Sequence, residues 1–123
     1  MSLLTENNFA VIIAGSRTYN NYNEAKNYLD KAFSNKKPTS IICGMARGAD
    51  MLGYRYAKEN NIPVLEYPAE WFKYGKSAGY IRNSNMATNA DALIAFWDGK
   101  SKGTKNMIEI AKKHNMPIRI VFI

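Results

Sequence analysis

Apolar side chains follow two alternating rhythms along this chain. Residues 9–14 (FAVIIA) are an unbroken apolar run closed by Gly15, the pattern of a short strand covered on both faces. From Asn21 onward, Tyr22, Ala25, Leu29, Ala32 and Phe33 recur at intervals of three and four, which marks one face of a helix. Lys37-Pro38 ends it. Ser40–Cys43 predicts a second strand, residues 49–60 a second helix with Leu52, Tyr56 and Ala57 inward, and residues 63–67 a shorter third strand. The next stretch, PAEWFKYGKSAG, contains Pro68, Gly75 and Gly79, which deny it a single regular element. A helix over Ala78–Thr88, a strand over Ala92–Trp97, a helix over 103–114 and a closing strand over 117–123 complete the pattern.

Strands and helices that alternate in this way predict right-handed crossovers and a doubly wound, parallel, five-stranded α/β sheet with helices on both faces. No repeat, linker or low-complexity segment interrupts it, so residues 9–123 read as a single domain behind a short N-terminal extension, 1–8. Ligands of such sheets sit beyond the carboxyl ends of the strands, where the strand order reverses. The residues that directly follow each strand are therefore the candidates.

Four segments occupy those positions. The first strand is followed by Gly15, Ser16 and Arg17, and the second by Gly44, Arg47, Gly48 and Asp50. Trp71, Lys73 and Lys76 come after the third; Trp97, Asp98, Gly99, Ser101, Gly103 and Thr104 come at the end of the fourth. Glycine lets backbone approach a ligand closely, helix N-termini offer unpaired N–H groups to an anion, and arginine adds a planar, always charged fork. A turn or a helix cap explains any one of these loops on its own, since Ser16 and Asp50 both suit a cap. Three glycine-containing loops at one sheet edge, two of them carrying an arginine, point instead to a phosphate cradle. Trp71 and Trp97 suit either packing or the stacking of a base.

Charge strengthens that reading. The chain has 17 Lys+Arg against 10 Asp+Glu, a net charge of +7 that favours anionic partners such as nucleotides or nucleic acid, although the lysines are scattered. No apolar stretch approaches the roughly 20 residues of a membrane span, and the N-terminus lacks the basic start and apolar core of a secretory signal. The lone cysteine, Cys43, excludes an internal disulfide framework, suits a cytoplasmic location and reads as core. His114, the only histidine, falls in the last turn of a helix and has no partner for catalysis or zinc. Asp50, Asp91 and Asp98 could hold magnesium, but turns and caps account for them more simply. Tyr54, Tyr56, Tyr74 and Tyr80 around the second and third helices suggest a self-complementary patch and a homodimer.

The segments AGSR, CGMARGAD, PAEWFKYGKSAGYIRNSNM and ADALIAFWDGKSKGT, in that order, resemble the YspA (cpYpsA-related) branch of the SLOG superfamily from about Val11 to the end. That superfamily also holds the lysine-decarboxylase-like LOG enzymes and the DNA-processing protein DprA. The resemblance implies a Rossmann-like sheet and a nucleotide or nucleotide-derived ligand, in a branch proposed to sense or process nucleotides in bacterial and phage conflict systems. It places ligand contacts on Gly15, Ser16, Arg17, Gly44, Arg47, Gly48, Asp50, Gly99, Ser101, Gly103 and Thr104. LOG enzymes have an arginine on the third helix, matched here by Arg82. They also have a glutamate three residues past the loop's GT, where this chain has Met107. Cleaving a ribosyl bond needs a carboxylate to manage the oxocarbenium charge or to activate water. Binding is thus favoured over catalysis. The enzymatic alternative is nucleotide N-glycosidic (phosphoribo)hydrolysis by Arg82 with Asp50 or Asp98, and a third reading is a single-stranded DNA-binding module.

Overall fold

The computed structural model describes residues 8–123. Most of the N-terminal extension therefore lies outside the described residues. Five strands form one sheet: β1 (Ala10–Gly15), β2 (Ser40–Cys43), β3 (Val64–Glu66), β4 (Ala92–Trp97) and β5 (Ile118–Phe122). Their order is β3-β2-β1-β4-β5 and every pairing is parallel. The helices are α1 (Tyr22–Ala32), α2 (Ala49–Glu59), the single turn α3 (Trp71–Tyr74), α4 (Ala78–Thr88) and α5 (Lys102–Lys113).

The apolar run in β1 explains the layering. Val11 and Ile13 face one cluster with Ala25 and Leu29 of α1 and Tyr56 and Ala57 of α2. Ala10, Ile12 and Ala14 face the other, with Met86 and Ala87 of α4 and Met107, Ile108 and Ala111 of α5. Alternate side chains of one strand thus enter two different cores, and both faces must be apolar. Gly53 of α2 lets that helix lie against β1, because a methyl there would stand 2.7 Å from the Ile13 Cβ.

All five strands and the four longer helices fall where the hydrophobic pattern puts them. Differences occur at the edges. β3 shrinks to three residues, although Ile41 N–H still donates to Pro63 O and Tyr67 N–H to Cys43 O on either side of it. The segment read as irregular divides into α3 and a 3-10 turn at Gly75–Ser77, with Gly75 at φ 56 between them. The tyrosine patch is divided too. Tyr56 is buried in the α1/α2 core and donates from its hydroxyl to Asp30 Oδ1 at 2.8 Å, while Tyr74 and Tyr80 remain exposed. Tyr56→Phe should cost about 0.5–1.5 kcal/mol through that one hydrogen bond, read as a lower urea midpoint with an unchanged slope.

Candidate functional site

Because every strand is parallel, all their carboxyl ends open at one edge. The chain leaves β1 for β2 on one side and later crosses to β4 on the other, so the order reverses between β1 and β4. A crevice of about 200 Å³ opens there. Gly15 and Arg17 enter it from the end of β1, Asp50 from the first turn of α2, and Ser101, Gly103 and Thr104 from the start of α5. Trp71, Lys76 and Tyr80 stand along the same crevice, and Arg82 and Asn83 line it from α4.

Asp50 and Arg82 are its most constrained charges. Asp50 is only 5% exposed, and its Oδ2 accepts the Ala46 N–H at 3.2 Å. Burial pushes its carboxyl up to about 6, against the opposing pull of the Ala46 amide and of the Arg82 and Arg17 guanidinium groups. Arg82 Nη1 donates to the carbonyls of Gly44 and Tyr67, and its Nε donates to Asn83 Oδ1 at 3.0 Å. Asn83 in turn donates to Gly103 O at 3.3 Å and Asn106 Oδ1 at 3.0 Å, which fixes the first turn of α5 to α4. Gly44 separates the two charges: a methyl there would lie 2.6 Å from Arg82 Nη1 and 2.7 Å from Asp50 Oδ2. A side chain at that position would push the guanidinium and the carboxylate from their places.

Several predicted residues build the crevice without lining it. Ser16 is buried, donates its N–H to Phe96 O at 2.9 Å and accepts the Asp98 N–H on its Oγ at 3.1 Å, joining the β1 and β4 loops. Gly48 (φ 77) lies so close to the carbonyls of Ser16 and Arg17 that a methyl would stand 2.4 Å from each. That contact locks the β2 loop beneath the β1 loop. Asp98 Oδ1 accepts the N–H groups of Lys100 and Ser101, both at 2.8 Å, and these bonds hold its carboxyl below the usual range. Gly99 (φ 80) completes that turn. The turn presents α5, and Asp98 itself is exposed and does not line the crevice. Trp97 donates from Nε1 to Ser101 O at 3.1 Å and packs its ring against Phe122, so it supports the loop instead of offering a base a free face.

Arg47 is exposed and does not line the crevice. Met45 (φ 62) and Gly48 (φ 77) turn the loop so that Asp50 is carried into the crevice and Arg47 is left outside. The arginines that do line it are Arg17 and Arg82. The aspartates weighed for magnesium do not gather: Asp91 accepts the Ala10 N–H at the opposite edge of the sheet. Among the described residues no group of three or more His, Cys, Asp or Glu side chains could hold a metal ion. Cys43 is fully buried, donating to Asp50 O at 3.4 Å, and burial pushes its thiol up. His114 caps the end of α5.

Sequence reasoning missed Gly79, Tyr80, Asn83 and Met86 as lining residues. Gly79, Arg82, Asn83 and Met86 are spaced by three and four, so the signal was present as one face of α4. Tyr80, three residues before Asn83, lies on the adjoining side of that face.

Residues 9–74 match the family model described as "YspA, cpYpsA-related SLOG family". That span includes the β1 and β2 loops and Trp71; Arg82 and the start of α5 lie beyond it. Gene 61 protein of Mycobacterium phage D29 is 31% identical over 115 residues, aligned across 88% of this chain and 92% of that protein. DNA processing protein A (DprA) from Streptococcus pneumoniae superposes on 92% of this chain with a TM-score of 0.68 at 15% identity. The chain spans 50% of the length of DprA, and the likeness is one of fold.

Proposed function

Because the chain belongs to the YspA, cpYpsA-related SLOG family, we propose that its crevice binds a nucleotide or a nucleotide derivative and does not break it down. The observation that carries this reading is the convergence of Arg17, Lys76 and Arg82 with the N-terminus of α5 at a parallel-sheet switch point. Ser101 occupies the capping position of α5 yet makes no capping bond; its Oγ lies 3.2 Å from Thr104 Oγ1 instead. The first amides of the helix are left for an anion. Trp71, half exposed beside Gly79, supplies a face for a base.

Hydrolysis lacks support in the crevice. Met107 is buried at the position where LOG enzymes have their glutamate, and Asp50 is the one carboxylate among the lining residues. Glycosidic hydrolysis with paired carboxylates has no second partner here.

The test is calorimetric titration of the full chain with a nucleotide panel and with inorganic phosphate. A nucleotide should bind more tightly than phosphate alone. Trp71→Ala should weaken nucleotides by about 2- to 12-fold, the value of one aromatic stack, and leave phosphate unaffected. Failure of every nucleotide to bind would end the reading. A second reading, single-stranded DNA, is favoured by one observation: Trp71, Phe72, Lys73, Tyr74 and Lys76 form an exposed run of rings and cations. It predicts oligonucleotide affinity that falls steeply with salt, whereas the mononucleotide site does not. Homodimerisation through the exposed Phe72, Tyr74 and Tyr80 is the competing use of the same rings, and light scattering at high concentration tests it.

A further inference from the structure

Asp50 does not fit a site that takes only phosphate. A buried carboxylate in a crevice for an anion repels that anion, so the group that adjoins it must be a hydrogen-bond donor. Arg82 lies close by, yet the two form no ion pair; the hydrogen atom of Gly44 faces the space between Nη1 and Oδ2. The Nη1 of Arg82 is bound to carbonyls, whereas its Nη2 has no partner among the described residues. Asp50 accepts from a backbone amide on Oδ2, and an ionised carboxylate has about four acceptor positions.

We propose that Asp50 and Arg82 recognise a sugar hydroxyl of the ligand, which donates to the carboxylate and accepts from the guanidinium. This inference rests on the nucleotide reading and adds the ligand class: a ribonucleotide or ribose-containing derivative, as opposed to one stripped of its 2′ and 3′ hydroxyls. A hydroxyl is the group that suits both partners at a single atom. A base carbonyl cannot donate to the carboxylate, and an exocyclic amine offers no useful lone pair to the guanidinium. Water has the same capacity, and a hydroxyl replaces it with its hydrogen bonds reproduced. The neighbouring walls suit a sugar as well, because Ala14, Met86 and Met107 give the crevice an apolar side without hydrogen-bonding groups. The phosphate is then directed away from Asp50, toward Arg17, Lys76 and the start of α5.

The experiment titrates the full chain with the four ribonucleoside 5′-monophosphates, their 2′,3′-dideoxy counterparts and inorganic phosphate. The tightest ribonucleotide should lose roughly 10- to 150-fold on removal of both hydroxyls, the range for a hydrogen bond to a charged group. Asp50→Asn should shrink that ratio, because the neutral amide keeps the shape and loses the charge. Equal affinity of the wild-type chain for a ribonucleotide and its dideoxy form overturns the inference and leaves the nucleotide reading standing. Absence of binding by every nucleotide overturns both. If Asp50→Asn fails to fold, the wild-type comparison decides alone.

Discussion

Arg82→Ala is expected to weaken nucleotide binding by roughly 10- to 150-fold, the worth of one or more charge-assisted hydrogen bonds. Arg47→Ala, by contrast, should change it by no more than about twofold, as for a solvent-exposed substitution. The contrast follows from placement. The Arg82 guanidinium is held in the crevice by the carbonyls of Gly44 and Tyr67 and by Asn83, so it is presented without the ordering cost that a free side chain would bear. Arg47 stands in solvent beyond the turn set by Met45 and Gly48. Removing Arg82 also frees two carbonyls and leaves Asp50 without its nearest cation, so the variant should melt earlier. Calorimetric titration well below the melting temperature separates the two effects. Arg82→Lys should restore stability in part and affinity less, because an ammonium cannot hold two carbonyls and a ligand in one plane. The reverse result, with Arg47→Ala harmful and Arg82→Ala neutral in binding, would move the ligand site out of the crevice and onto the β2–α2 loop.

The second large effect is one of pH. Asp50 is an acid whose folded-state pKa is raised from 3.8 to about 6, so the folded chain holds its proton more tightly than the unfolded chain does. Stability from this source is fully present below about 4 and is lost as pH rises through about 6. Between those limits the wild type should lose on the order of 3 kcal/mol relative to Asp50→Asn, which cannot titrate. Asparagine can accept the Ala46 N–H with its Oδ1, and any penalty it brings does not depend on pH. The diagnostic quantity is therefore the change in the stability gap between pH 4 and pH 7, measured by denaturant titration at each pH. A gap that stays constant would mean that Asp50 titrates in the folded chain as it does in the unfolded one.

Periodicity made the framework legible and left the site only partly so. An apolar run such as FAVIIA states that both faces are covered, and Tyr22, Ala25 and Leu29 state which side of α1 is inward. These are facts about burial, and burial is what hydrophobic spacing encodes. Which side chain of CGMARGAD faces the crevice depends instead on backbone angles at Met45 and Gly48, and no spacing encodes those. The sequence names Arg47 and Asp50 alike as ligand contacts, and only the loop geometry separates them, carrying Asp50 inward and leaving Arg47 exposed. Ser16 and Asp98 stand out in the sequence, and in the structure Ser16 Oγ and Asp98 Oδ1 accept bonds from neighbouring backbone. On the α4 face Arg82 is legible from the resemblance, whereas Gly79, Asn83 and Met86 share its face by spacing but do not look like a core.

The bond from Asp98 N–H to Ser16 Oγ joins positions 82 apart in sequence. Closing a loop of that length costs chain entropy, which the contacts between β1 and β4 must offset. β1, β2 and α2 can associate from local pieces and bring Asp50 to its place beside Gly44. The opposite side of the crevice comes from the far half of the chain, where the Asp98 turn sets the start of α5. The crevice is therefore shared between the two halves of the sequence, and neither half alone carries it.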